Sequence, residues 1–387
     1  MSAARTIRRV AFVHPSRGPL TERDWSGTPA GLVTALRARG IEVDEIGYDV
    51  PAPVRAAVHL LARATTPNPT AAERSPLKVW LRERSLRRQL ARVPPVDAVI
   101  AVGTDCFRLG RLEASAPTAT YDDASLSRMW AHPDSDIRQA GFREADVVRW
   151  IAVQRASQRA ATVACVSTAW AGRSLVRGDR MPEERIAVVG MGHRPRDDGG
   201  EASRDWASPT FLFIGVDWRR KNGDAVLRAF RRVRADFPRA TLHLVGAHER
   251  VDEDGVIDHG LLAREDPRAQ AELDGVLRSA TAFVLPSTFE PFGIAYLEAA
   301  SAGLPVIATT EGGAGEMLGD AAITVAPGDD DAILRAMLML CRPQEAERRG
   351  RLARAAARES SWGHVAGRIL DALESAAAPE REANRAR

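Results

Sequence analysis

Hydrophobic and polar positions along this 387-residue chain fall into two kinds of run that alternate from end to end. Short β-rich apolar stretches end in glycine or a polar turn. Longer stretches between them place apolar residues every three or four positions. In the first half, "RRVAFVH" (residues 8–14), "IEVDEIGY", "VDAVIAVG" (96–103), "PTATYDD", "TVACVST" and "IAVVGMG" predict strands. Between them an amphipathic helix is predicted at about 30–39, and another through "VVRWIAVQRASQRAA". The second half restarts the pattern with strands "TFLFIG", "ATLHLVG", "GVIDHGLL", "AFVLPS", "PVIATT" and "AAITVA", and with helices "GDAVLRAFRRVRADF" and "AQAELDGVLRSA". Strands alternating with helices predict an α/β protein of two Rossmann-like, doubly wound parallel-sheet domains. Such sheets take ligands beyond the carboxyl ends of their strands, so two of them facing each other are expected to form a cleft.

The polar stretch "MGHRPRDDGGEASRDWASP" predicts the boundary between the halves. The expected organisation is a first domain over 1–195, a linker over 196–208, a second domain over 209–362, a helix over 363–376 and a flexible tail over 377–387. An insert at about 51–95 interrupts the first domain. It is Arg-rich in "LKVWLRERSLRRQLARV", with apolar residues at helical spacing. Two readings of it stand: a surface helix with a solvated basic face, or a surface for an acceptor or a membrane.

Composition narrows the function classes. Hydrophobic residues at 45% and charged residues at 27% suit a soluble globular chain. The net charge is +3, and lysine occurs only at Lys78 and Lys221. Basic residues are dispersed and no nucleic-acid recognition module is present, so no nucleic-acid partner is expected. Cys106, Cys165 and Cys341 lie far apart without a C-x-x-C pair, which argues against a disulfide framework or a zinc site. No apolar run is long enough to span a bilayer, and "MSAARTIRR" before "VAFVH" makes a poor signal peptide. A cytoplasmic location is expected.

The candidate chemistry centres on "STFEPFGIAYLE", residues 287–298. Glu290 follows a strand, Pro291 favours a helix start, and the helix is expected over 292–302, stopped by Gly303 and Pro305. The Phe292 and Gly293 amides at its start would form an anion site. Glu298, eight residues on, lies about 12 Å along the helix and about 80° round it. That separation is too great for two carboxylates to flank one small bond. It suits a grip on two hydroxyl-bearing groups joined by a diphosphate. Cations for the diphosphate are offered by Arg219, Arg220 and Lys221 after Gly215, again at a strand's carboxyl end. Lys221 stands out because arginine is used almost everywhere else; an exposed basic loop is the alternative. In the first half, Gly27 sits at a helix start with Ser26 as its expected cap, a position for phosphate or ordinary capping chemistry.

"FEPFGIAYLEAASAGLPVIATTEGGAGEML" resembles the E-x7-E signature of family-four retaining glycosyltransferases of the GT-B fold. "FIGVDWRRKNGDAVLRAF" is similar to that family's phosphate-binding segment, and "SSWGHVAGRILDAL" to its closing helix, which packs back on the first domain. The resemblance implies a first domain for the acceptor and a second for a nucleotide sugar. It implies that Glu290, with the Phe292 and Gly293 amides, holds the donor sugar and phosphate. Glu298 would bind the ribose, Lys221 with Arg220 or Arg219 the diphosphate, and His259 and Gly260 would adjoin the base. Transfer would proceed with retention, the protein steadying the leaving diphosphate.

The sequence also departs from that family. Val216 stands where many relatives have arginine, and Tyr121, Asp122 and Asp123 stand where many have a histidine. Asp122 is then a candidate to face the sugar or acceptor, or else a helix cap, with His14 a lesser candidate. "DSD" (134–136) and "DED" (252–254) do not follow hydrophobic strands, so no metal and no cofactor beyond the nucleotide-sugar co-substrate is expected. The expected partners are that donor and a small-molecule acceptor of biosynthesis, with a cell-envelope lipid or glycan as the alternative. Membrane association is not favoured, and a monomer or homodimer is expected. Rival functions are an epimerase or phosphorylase of similar architecture and a catalytically inactive scaffold subunit.

Overall fold

The computed structural model describes residues 7–21, 24–65, 68–196 and 204–385. The greater part of the expected linker, 197–203, lies outside the described residues. The chain forms two compact units, Met1–Gly192 with Trp362–Arg387, and His193–Ser361.

The first unit holds a six-stranded sheet in the order β2-β1-β3-β4-β5-β6, parallel throughout. Its strands are β1 (Arg9–Val13), β2 (Glu42–Ile46), β3 (Ala98–Val102), β4 (Thr118–Asp122), β5 (Val163–Val166) and β6 (Ile186–Val188). Every residue of β3, β4 and β5 is buried, in keeping with the unbroken apolar runs of β3 and β5. Helix α1 (Thr28–Ala38) follows the β1 loop. The insert is three helices, α2 (Ala52–Thr65), α3 (Pro69–Glu73) and α4 (Pro76–Leu90). Asn68 and Ser75 cap α3 and α4 with their side chains, each followed by proline at the first helical position. Helices α5 (Leu126–Ala131), α6 (Asp136–Gln139), α7 (Glu144–Ala160) and α8 (Ala169–Asp179) complete the crossovers.

The second unit repeats the plan with β7 (Thr210–Ile214), β8 (Thr241–Val245), β9 (Val256–Asp258), β10 (Ala282–Val284), β11 (Val306–Thr309) and β12 (Ala322–Val325). Its parallel order is β12-β11-β10-β7-β8-β9, the dinucleotide-binding arrangement whose strand order reverses between β7 and β10. The helices are α9 (Gly223–Asp236), α10 (Pro267–Ser279), α11 (Ile294–Ser301), α12 (Ala314–Leu318), α13 (Asp330–Leu340) and α14 (Pro343–Arg358). The last helix, α15 (Trp362–Arg385), belongs to the first unit and packs on α1. Its Trp362 indole fills the space left by Gly31 and Gly192, where a Cβ would lie 2.5 and 2.1 Å from the ring. Helical structure continues past residue 376 into the stretch expected to be a flexible tail, whose Ala, Glu and Arg are strong helix formers.

Candidate functional site

The reversal of strand order in the second unit puts two loops side by side, one after β7 and one after β10. After β7 the chain turns at Gly215, where a Cβ would lie 2.9 Å from the Lys221 stem. Trp218 anchors this turn, edge-on to Phe213 at 5.4 Å and against His248 at 4.8 Å, with its indole N–H donating to Asp224 at 2.9 Å. Val216 and Arg219 are exposed, whereas Arg220 and Lys221 turn inward. After β10, the Glu290 amide donates to the Glu311 carbonyl at 2.9 Å, and Glu290 forms a parallel bridge with Gly312.

The two loops meet at the Glu290 carboxylate. Its Oε2 pairs with the Lys221 ammonium and accepts from Ser287 Oγ at 3.2 Å and from Arg220 Nη1 at 3.3 Å. Arg220 also donates to the Phe289 carbonyl at 3.0 Å. Burial by itself would raise the Glu290 carboxyl, but the charges of Lys221 and Arg220 and the hydrogen bonds from Lys221 and Ser287 outweigh it and hold it below its ordinary value. The result is a buried anion with two cations fixed at the carboxyl edge of the sheet. Of Arg219, Arg220 and Lys221, it is Arg220 and Lys221 that bond Glu290. Ser287 carried no signal of its own in the sequence.

Helix α11 starts at Ile294, two residues later than expected, because its N-cap Gly293 has φ 75°. A Cβ there would lie 2.7 Å from the Tyr296 ring and 2.8 Å from Glu290 Cγ. The Phe292 side chain is core, so only the backbone at 292–293 is left to meet an anion. Glu298 is buried in α11 and accepts from Arg196 Nη2 at 3.2 Å through Oε2. Arg196 also binds Gln270 at 2.9 Å and Asp274 at 3.2 Å. Glu298 Oε1 accepts no hydrogen bond and has the Arg264 guanidinium 3.5 Å away. Arg196 was missed by sequence reasoning: it stands in the polar stretch taken as linker, and nothing in its neighbours marks it as buried. Glu290 and Glu298 have no side-chain partner in common.

At the end of β9, His259 is held through both ring nitrogens, to His243 at 2.9 Å and to Glu272 at 2.7 Å. The two imidazoles stack with centroids 5.2 Å apart, and burial, then the His259 charge, lowers His243 to about 4. His259 therefore has no ring nitrogen left for a further hydrogen bond. Gly260 has φ 63° with open space beside it, and its amide donates to Asp258 at 2.9 Å.

The remaining candidates belong to the first unit. Asp122 ends β4 and is buried, with Gln154 and Gln158 each donating to one carboxylate oxygen at 3.2 Å. It caps no helix; Ser125 caps α5. Burial foremost raises its carboxyl to about 7. A raised carboxyl contributes stability that is present below the unfolded value near 3.8 and is lost as the pH rises through about 7. Asp122→Asn is expected to remove that fall, gaining on the wild type at pH 8 but not at pH 4, as melting curves at the two values would read. Gly27 is the N-cap of α1 with φ 83°, and the expected Ser26 side-chain cap is absent. Ser26 (φ 56°) and Trp25 (φ 42°) also take left-handed backbone, and the N-cap position falls to Gly27. His14 is buried at the end of β1, and neither ring nitrogen has a hydrogen-bond partner. Among the described residues, no group of three or more His, Cys, Asp or Glu is placed to hold a metal, and no helix is long and apolar enough to cross a membrane.

Two tandem doubly wound sheets, with the cation-bearing turn of the second at its topological switch point, define the GT-B glycosyltransferase fold. Whole-chain structural likeness agrees: a sucrose-phosphate synthase from Thermosynechococcus elongatus superposes with TM-score 0.64 at 18% identity, over 98% of this chain and 100% of that one. An alpha,alpha-trehalose-phosphate synthase from Burkholderia vietnamiensis gives 0.63 at 14% identity, covering 97% and 98%. Residues 208–342, which contain the Glu290 cluster, match the family described as Glycosyl transferases group 1. A glycogen synthase of Mycobacterium tuberculosis is 35% identical over 154 residues, 37% of this chain and 36% of that protein. A D-inositol 3-phosphate glycosyltransferase of Stackebrandtia nassauensis is 31% identical over 185 residues, 42% and 41% of the two chains. The match thus spans well under half the length of these curated relatives.

Proposed function

We propose that this chain is a retaining glycosyltransferase that moves a sugar from a nucleotide-diphosphate donor to a small-molecule acceptor, without a metal. The observation that carries the reading is the convergence of Lys221 and Arg220 on one buried carboxylate at the β7/β10 switch point. A departing diphosphate needs fixed positive charge, and cations already oriented in a buried setting stabilise it without reorganising. Glu290 holds those cations in place and lies beside the α11 N-terminus, whose backbone amides favour a phosphate. Glu298, with Oε1 free of hydrogen bonds, is assigned to a ribose hydroxyl. His259 and the open Gly260 are assigned to adjoin the base. Asp122 is the first unit's candidate for a sugar or acceptor hydroxyl. A cytoplasmic site of action fits a soluble nucleotide-sugar donor.

A lipid or glycan acceptor of the cell envelope is the second reading. The insert favours it, since Leu60 is 73%, Leu61 59% and Trp80 52% exposed.

The test is a thermal-shift panel of UDP-, GDP-, ADP- and dTDP-sugars without metal, on wild type and on Glu298→Gln. Binding to the native state raises the melting temperature by mass action. One nucleotide is expected to shift the wild type, and the variant less. Folded protein with no shift for any donor would turn the assignment towards an inactive scaffold.

A further inference from the structure

Lysine is used twice among 54 basic side chains, and the donor reading accounts for Lys221 alone. The other, Lys78 on α4, has a side chain only 4% exposed. Its ammonium pairs with Glu73 and lies 3.1 Å from His59 Nδ1. It lines a cavity of 480 Å³ with Tyr48, Ala52, Arg55, Ala56, His59 and Glu73, a volume in the range of small-molecule sites. Arg82, equally buried, lays its guanidinium over the Tyr48 ring at 5.1 Å and reaches Glu73 at 3.5 Å. Tyr48 lies just past β2, at the carboxyl edge of the first sheet, where open sheets take ligands.

The charges around this cavity do not balance. Arg55 and Lys78 line it, and Arg82 lies against Tyr48; the one carboxylate in the lining, Glu73, pairs with Lys78 and Arg82. The Arg55 guanidinium and the Tyr48 hydroxyl have no hydrogen-bond partner among the described residues, and Arg82 Nε is buried without one. Burial raises the Tyr48 phenol, Arg82 lowers it, Glu73 raises it and Arg55 lowers it, so Arg55 is within electrostatic reach of the same spot. Lys78 and Arg82 are satisfied by Glu73, His59 and the Glu73 and Cys106 carbonyls, so Arg55 is the cation left to meet an anion, in a setting with more positive than negative charge. A phosphate monoester brings about −1.5 to −2 charge and three acceptor oxygens.

We propose that this pocket binds a phosphate monoester carried by the acceptor, with Lys78 and Arg55 as its charge partners and Tyr48 and His59 as further donors. The word acceptor rests on the transferase reading; the binding itself does not. The group reaches the pocket either on a soluble metabolite or on a lipid headgroup, and the same cations serve both.

The experiment measures binding of glycerol 3-phosphate by calorimetry and of phosphatidic acid vesicles by co-sedimentation, on the full chain. Glycerol and phosphatidylcholine vesicles are the neutral controls. Saturable binding in one arm is expected, weakened about 10- to 100-fold by Arg55→Gln, the loss of one charged hydrogen-bonding group. Arg55 is partly exposed and unpaired, so that variant keeps the wild-type fold; Lys78→Met is the companion. The calorimetric arm identifies a metabolite and the vesicle arm a lipid. Absence of saturable binding in both arms overturns the proposal. So does binding that survives Arg55→Gln but is lost in Lys221→Met, which would assign the phosphate to the Glu290 cluster. Glu298→Gln should leave the phosphate binding intact, so failure of the donor reading and failure of this one are separable.

Discussion

Replacing Lys221 by methionine is expected to lower kcat/KM for the donor by about 10²- to 10³-fold, the usual effect of removing one preorganised charge stabiliser. The same change should destabilise the second unit. Lys221 and Glu290 have side chains only 13% and 9% exposed, so the ammonium is lost from a nearly dry pair. Breaking such a pair costs about 3–5 kcal/mol, and the remaining bonds from Arg220 and Ser287 put this one at the lower end. Adding Glu290→Gln removes the stranded charge, so the double variant should recover most of the stability and none of the activity. The sign with pH is also fixed. Because the Glu290 carboxyl is held low, its stabilisation is present above the unfolded value near 4.5 and is lost as the pH falls through the folded one. The deficit of Lys221→Met against the wild type should therefore shrink as the pH falls through that range. Urea melts with donor-turnover assays on the wild type and the two variants decide the matter. Full activity in Lys221→Met would show that this cation does not act on the donor.

Gly312→Ala should be as damaging without touching any charge. A Cβ at Gly312 would sit 1.8 Å from the Glu290 carbonyl oxygen, a backbone atom that no rotamer change can move. Either the parallel bridge between 290 and 312 opens or the chain around Glu290 shifts. A loss of about 3 kcal/mol or more is expected, as for an overpacked core, together with loss of donor binding. Gly328→Ala is the control: its φ is 84° but nothing lies within 4 Å of the added Cβ. It should show only the left-handed backbone cost of about 1–2 kcal/mol, with donor binding unchanged. Equal effects from the two substitutions would mean that the loop absorbs the added Cβ, since Gly312, unlike Gly328, carries no left-handed backbone cost.

The architecture and half of the candidate site were legible before folding. Buried parallel strands announce themselves as apolar runs, because both faces of the sheet are covered, and "VDAVIAVG", "TFLFIG" and "AFVLPS" each contain one. Glu290 and Lys221 were marked by their places beyond strand ends, Lys221 also by the rarity of lysine, and Glu298 by its spacing from Glu290. The caps at Asn68 and Ser75, not singled out in the sequence, are local as well, since capping needs only a side chain and the next two or three amides.

Long-range contacts were not legible. That Arg220 rather than Arg219 reaches Glu290 depends on how the β7 turn is wound around Trp218, and adjacent side chains in a turn look alike in sequence. Arg196 meets Glu298 across 102 residues and lies in a stretch whose composition suggests a solvated linker. The left-handed path through Trp25, Ser26 and Gly27 cancelled a cap that the residue types favoured. The sequence by itself determined the elements, their alternation and which positions carry charge at strand ends, because those follow from local periodicity and burial. Only the tertiary structure decided which charges meet, because pairing between distant loops is set by strand order, and strand order is a property of the assembled sheet.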